Sequence, residues 1–225
     1  GRTDSARVLL EHKANPNFEG TGLVLVGGSV TAKQSVPVFF AIWNRHDDIL
    51  KLLLDAGANP EGTASSNSPL FAAMDYNAVD ALQLLLEHGA NPNRPNTEGY
   101  PPLSKVVLNG RDKRLVQLLL DKGADPNASA PNYATPLFYA RDSEVARWLV
   151  EHKANVNART SQGSTPLMYA NDTNVVKFLL ENGAKTDLQD TNGNTALHVA
   201  VTYRVSPASV ALLLEHKANP NIQNN

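Results

Sequence analysis

The chain has 225 residues, 42% hydrophobic and 19% charged, with 20 Lys+Arg against 22 Asp+Glu, so a wholly disordered chain is excluded. A formal charge of −2 gives no global field that would draw the protein to nucleic acid or an anionic membrane. With 0 Cys there is no disulfide framework, thiolate zinc site or cysteine nucleophile, and the longest apolar runs, Leu23 to Val26 and Val36 to Trp43, fall far short of the ~18 residues of a membrane span.

The chain opens at Gly1 inside a helical pattern, without Met or a basic leader, as expected of a fragment of something longer. Residues 1–17 form a partial unit that carries VLLEHKANPN from Val8. Residues 18–35 then read as an enlarged loop or hairpin, with Gly27-Gly28 as its turn. A phosphate-binding loop is excluded there, because no glycine-rich stretch follows a strand into a helix and no Gly-Lys-Ser/Thr ends it.

From residue 36 two phrases alternate. VPVFFA (Val36), SPLFAA (Ser68), PPLSKV (Pro101), TPLFYA (Thr135), TPLMYA (Thr165) and TALHVA (Thr195) are each followed by a phrase of the type LLLEHGANPN. Ser or Thr before Pro is a helix start, since the hydroxyl accepts a first-turn amide and Pro gives up only an unpartnered one. The second phrase has apolar residues at helical spacing, as in Val79, Leu82, Leu85 and Leu86, and closes at Gly89 in a left-handed cap. Lys13, Lys153 and Lys217 take the place of that glycine and should pay the left-handed cost. Asn, Pro and Gly between units predict hairpin-like turns. The predicted repeats are 36–67, 68–100, 101–134, 135–164, 165–194 and 195–225 in a single domain spanning 1–225. The units from Pro136 and Pro166 reach Lys153 and Gly183 in 17 residues where the Pro69 unit takes 20, so each lacks about one helical turn.

This pattern resembles the ankyrin repeat family, most closely in DTNGNTALHVA from Asp190 to Ala200. The resemblance implies an all-α solenoid of about seven helix-turn-helix units joined by hairpin-like loops, with incomplete terminal repeats. The signature histidine survives only at His198, with Phe39, Phe71, Ser104, Phe138 and Met168 in its place. It also implies a non-catalytic module that binds a protein or peptide along a concave groove, without nucleic acid, cofactor or membrane insertion, and as a monomer. A second reading makes the chain the targeting arm of a larger enzyme or secreted bacterial effector, and a third a rigid spacer. The expected compartment is the cytoplasm, that of a host cell under the effector reading.

The groove would be lined by first-helix ends and hairpin tips. The first helices contribute Trp43, Asn44, Asp75, Tyr76, Leu108, Asn109, Arg141, Asp142, Asn171, Asp172 and Tyr203, and the hairpins Thr97, Glu98, Tyr100 and Tyr133. For each aromatic residue singly, packing between adjacent repeats is the alternative. Trp148 falls in the apolar stripe of a second helix and is expected in the core. His12, His88, His152 and His216 hold one place in four repeats, which is repetition and not a metal site, because stacked equivalents stand roughly 8–10 Å apart. The basic stretch Lys105, Arg111, Lys113, Arg114 and Lys122 is interrupted by Asp112 and Asp121 and reads as a solvated face.

Overall fold

The computed structural model describes residues 2–26, 29–62, 68–203 and 205–225, with side chains described outside 23–34. Prolines preset the backbone angle of a first helical residue, and they open six elements here, at Pro37, Pro69, Pro102, Pro136, Pro166 and Pro207. In order, the elements are α1 (Arg2–Glu11), strands β1 (Gly20–Val26) and β2 (Ser29–Ser35), then α2 (Pro37–Trp43), α3 (Asp47–Asp55), α4 (Pro69–Asp75) and α5 (Val79–Glu87). There follow α6 (Pro102–Leu108), α7 (Lys113–Asp121), a 3-10 turn (Pro136–Tyr139), α8 (Ser143–Glu151), α9 (Pro166–Tyr169), α10 (Thr173–Glu181), α11 (Ala196–Thr202) and α12 (Pro207–Glu215). The fold is an all-α repeat solenoid, to which the antiparallel β1–β2 ribbon, paired from Gly20↔Ser35 to Val26↔Ser29, adds the one sheet among the described residues. The Gly27-Gly28 turn expected there lies outside the described residues. Gly22 is where the ribbon closes on its helix, since a Cβ at that position would stand 2.6 Å from the Phe40 ring.

The chain falls into two compact units, 1–97 and 98–225. In the first, α2 packs on α4, and α3 lies between α1 and α5. In the second, α6, the 3-10 turn, α9 and α11 form one row, and α7, α8, α10 and α12 a second row behind it. The core lies between the rows. In every complete second helix the seventh residue is fully or nearly fully buried: Leu53, Leu85, Leu119, Leu149, Leu179 and Leu213. A buried leucine is worth about 1.5–3 kcal/mol, enough for helices of nine residues that would not hold alone in water.

The expected core position of Trp148 is corrected by the structure. Trp148 is the sixth residue of α8, and that register, shared by Leu52, Leu84, Leu118 and Phe178, is only half-buried throughout. One residue of helix is about 100° of rotation, so Leu149 points between the rows and Trp148 to their outer edge.

Each second helix closes in the left-handed region, with φ between 84° and 90° at Gly57, Gly89, Gly123 and Gly183, and 64°, 74° and 66° at Lys13, Lys153 and Lys217. An Asn in the turn four residues after the left-handed cap stitches neighbouring repeats at Asn17, Asn127 and Asn157. Asn127 donates from Nδ2 to the Lys153 carbonyl (2.9 Å) and accepts the Asn155 amide (2.8 Å), and Asn157 does the same with Gly183 (3.0 Å) and Lys185 (2.8 Å). Asn17 repeats the pattern on Gly57 and Asn59 in the first unit.

The two short units are visible as such. Their first helices hold four residues each, Pro136–Tyr139 and Pro166–Tyr169, against seven in α4, α6 and α11. Three residues shorten a helix by about 4.5 Å. Thr135, expected to cap its helix, makes no cap hydrogen bond, and its buried hydroxyl has no partner among the described residues. Where the signature histidine is kept, His198 Nδ1 lies 2.9 Å from Thr195 Oγ1. Phe138 replaces that histidine and buries its ring instead.

Candidate functional site

A first helix that ends three residues early also ends on a different side chain. In the second unit the last residue of the 3-10 turn is Tyr139, that of α9 is Tyr169, and the C-cap of α11 is Tyr203. Three consecutive repeats thus place a tyrosine at or just past the end of the first helix, although in register Tyr139 and Tyr169 match Val199 and Tyr203 lies four residues further on. Tyr169 is 52% exposed and Tyr203 77%, the latter the most exposed of the large hydrophobic residues described. Tyr139 is half-buried, with its hydroxyl 3.5 Å from Asn132 Oδ1 on a hairpin, and burial first, then the neighbouring Tyr100 and Tyr169 phenols, push its ionisation up. Phe138 supports Tyr169 edge-on at 5.4 Å.

Beyond Tyr169 opens a recess of about 500 Å³ where the hairpins meet the first helices. Tyr169, Asn171, Val199 and Tyr203 line it from the helical side, and Ser164, Asp190, Asn192 and Asn194 from the hairpin side. Between Asn192 and Asn194, Gly193 turns at φ 78°, with the C-terminal chain so close that a Cβ would meet Asn224 Cα at 2.9 Å. Asp190 organises the hairpin: Oδ1 accepts the Asn192 and Asn194 amides (2.9 and 2.8 Å) and Oδ2 accepts the Asn194 carboxamide (3.3 Å).

The other expected residues of this unit divide into surface and scaffold. Asp142 and Asp172 are N-caps, accepting from Glu144 and Val145, and from Asn174 and Val175. Lys113 lies 2.7 Å from Asp142 and holds its carboxyl below the usual carboxylate range. Arg141 and Asp142 border a smaller cavity of about 210 Å³ beside the shortened turn. Asn171 enters the tyrosine recess, while Tyr133 stands 63% exposed on its hairpin at φ 63°. Lys105 bridges Glu98 (2.9 Å) and the Tyr100 ring (5.1 Å), leaving Leu108 and Asn109 at the end of α6. Within the basic stretch Lys113 pairs with Asp142 and Glu144 of the next repeat, and Arg114 with Asp112.

In the first unit Trp43 ends α2 half-buried, its ring against Phe39 (5.3 Å) and Phe40 (5.6 Å), with Asn44 folded back on the Phe40 carbonyl (2.8 Å). Tyr76 caps α4, and its carbonyl accepts from Arg45 at 2.6 Å; Asp75 and Thr97 are exposed. A larger, mostly apolar recess of about 660 Å³ lies between α1 and the α2–α3 pair, lined by Leu9, Leu10, Phe40 and Ile49. In the complete repeats the corresponding face of the second helix is covered by a first helix.

The four repeated histidines have one shared task. Each points Nδ1 at the carbonyl four residues back, Val8, Leu84, Trp148 and Leu212, at 2.8–2.9 Å. A carbonyl only accepts, so Nδ1 carries the proton. His88 also contacts Asp55 through Nε2 (3.0 Å), which favours the doubly protonated ring and raises its pKa, after the backbone contact. Among the described residues no group of three His, Asp or Glu could hold a metal ion.

A family model described as ankyrin repeats (3 copies) matches residues 103–190 and 171–224, and one described as ankyrin repeats (many copies) matches 70–120. The chain belongs to the ankyrin repeat family. No curated protein matches it. Ankyrin repeats are in general protein-interaction modules and typically non-catalytic. No helix among the described residues is long and apolar enough to cross a membrane. The site residues that sequence reasoning missed, Tyr139 and Tyr169, follow from the shortened spacing: a missing turn moves the helix end back from Arg141–Asp142 and Asn171–Asp172 to the tyrosines.

Proposed function

We propose that the chain is a protein-binding module without catalysis, and that its second unit grips an extended peptide segment of the partner along the Tyr139–Tyr169–Tyr203 row. The observation that carries this is the exposure of Tyr169 and Tyr203 at the ends of successive first helices, both lining one largely polar recess. Tyr supplies a large contact area with few torsions to freeze, the usual character of an interface anchor. Stacked repeats stand roughly 8–10 Å apart, which an extended chain covers in about three residues, so successive stretches of a peptide can meet successive repeats. The experiment is panning of a random twelve-residue peptide library on the full chain. Enriched peptides should bind Tyr169→Ala at least about tenfold more weakly, at 1.4 kcal/mol per factor of ten for one anchor, and Phe178→Ala on the outer edge unchanged. No enrichment, or equal binding to both variants, refutes the reading.

A further inference from the structure

The recess between α9 and α11 has a composition that selects a charge. Among the described side chains that line it, Asp190 carries the one formal charge, and the remainder are tyrosine, carboxamide, hydroxyl and aliphatic groups. An ionised carboxyl offers about four acceptor positions. Two backbone amides and one carboxamide occupy three of those on Asp190, leaving one on Oδ2. Asn171 and Asn192 add carboxamide oxygens to the lining, and the exposed faces of Tyr169 and Tyr203 supply two rings. Rings are electron-rich on their faces and attract cations within about 6 Å of the centroid. The carboxylate and the two tyrosine rings around one hollow favour a cation, while the carboxamides can both donate and accept.

We infer that this recess is a specificity pocket for an arginine side chain of the bound peptide. The inference rests on the peptide-binding reading above and adds the chemistry of its deepest contact. Arginine fits better than lysine for two reasons. Its planar guanidinium lies flat on a tyrosine ring while its edge donors remain free, and its five N–H donors can be shared among Asp190 Oδ2 and the carboxamide oxygens. A lysine ammonium is a compact, strongly hydrated point charge that cannot stack and donate edgewise together. Shortening α9 to four residues serves the same end, because the helix stops at Tyr169 and leaves the wall beside α11 uncovered.

The test is an NMR titration of the full chain with N-acetyl-arginine methylamide, and with the corresponding lysine and citrulline derivatives, citrulline being the neutral isostere. The arginine derivative should shift signals of Tyr169, Asn171, Asn192 and Tyr203. Lysine should bind roughly fivefold more weakly, and citrulline more weakly still. Asp190→Asn keeps an oxygen for the two backbone amides and should lose the preference for arginine over citrulline. Tyr203→Ala, at a side chain 77% exposed, should weaken arginine binding with the fold intact. Equal binding of lysine or citrulline, or shifts confined to other residues, overturns the assignment. If panned peptides nevertheless depend on Tyr169 while showing no arginine preference, the groove reading stands and the pocket assignment alone falls.

Discussion

Lys153 is the sharpest test of the scaffold, because it occupies a backbone conformation that its own repeats show to be a glycine position. It sits at φ 74°, where Gly123 and Gly183 in the flanking repeats sit at 84° and 85°. The left-handed region costs a residue with a Cβ roughly 1–2 kcal/mol. Lys153→Gly removes that cost and gives back about 0.4–1 kcal/mol through the greater freedom of glycine in the unfolded chain. The net expectation is a gain of about 0.5–1 kcal/mol. Nothing else in the structure opposes it: the side chain is exposed, the Lys153 amide bonds to the Val150 carbonyl (2.9 Å) as the Gly183 amide does to Leu180 (3.1 Å), and the carbonyl that receives Asn127 is unchanged. Urea unfolding followed by tryptophan fluorescence in a Trp43→Phe background, which leaves Trp148 on the helix that Lys153 closes, reports the repeat concerned, with far-UV circular dichroism for the whole chain. Lys217→Gly, at φ 66° and two repeats away, should add nearly independently. A midpoint that falls in Lys153→Gly, with both probes agreeing, would show that the lysine side chain contributes more than its torsion costs.

Two further outcomes follow from polar groups left in unfavourable surroundings. Thr135→Val replaces a buried, unpartnered hydroxyl by a methyl of the same shape and should raise stability by up to about 1 kcal/mol, whereas Thr195→Val breaks the 2.9 Å contact with His198 and should lower it by about 0.5–1.5 kcal/mol; thermal melts of both variants check the opposite signs. Asp47 has its pKa raised above 3.8, first by burial and then by the Asp80 carboxylate, and its Oδ1 has no partner among the described residues. The folded state therefore holds that proton more tightly than the unfolded one, so this group subtracts stability as pH rises from 3.8 through the raised value. Asp47→Asn should be more stable than the parent at neutral pH, with the advantage vanishing towards pH 3 in parallel urea titrations; an advantage independent of pH would remove the electrostatic cause.

What the sequence revealed and what it hid have physical reasons. Helix starts, helix stops and repeat length were legible, because Pro, Gly and Leu act through local backbone rules that every repeat must satisfy. Lys13, Lys153 and Lys217 were readable as left-handed for the same reason, by alignment with glycines. Trp148 was misplaced because in so short a helix a one-residue step is about 100°, and an apolar side chain is tolerated at the half-buried sixth position as well as the buried seventh. The ribbon β1–β2 was legible as a hairpin from its glycines, though its packing on α2 through Gly22 and Phe40 depends on residues far apart in the chain. Asp142 and Asp172 looked like surface residues and are helix caps, since an aspartate immediately before a helical run serves either purpose until the first turn is located.

The shortened repeats connect these observations. Where the signature is intact, at Thr195 and His198, hydroxyl and imidazole bond to one another and a seven-residue helix follows. Phe39, Phe71 and Ser104 replace the histidine in α2, α4 and α6 without shortening them, whereas the two repeats that are three residues short, with Phe138 and Met168, end their helices after four residues on a tyrosine. In both of these repeats the threonine hydroxyl, of Thr135 and of Thr165, is buried without a partner among the described residues, a local cost beside which Phe138 and Met168 are buried. Local rules are most often broken where a surface has work to do, and the second short repeat is the one whose tyrosine borders the recess. Met168 and Phe138 then act in the recess indirectly: the thioether lines it, and the phenyl edge sets the Tyr169 ring. The three-residue shortening of the repeat, and not the loss of the histidine by itself, is thus what ends α9 on a ring near Asp190, which makes the least regular part of the second unit the part on which its selectivity rests.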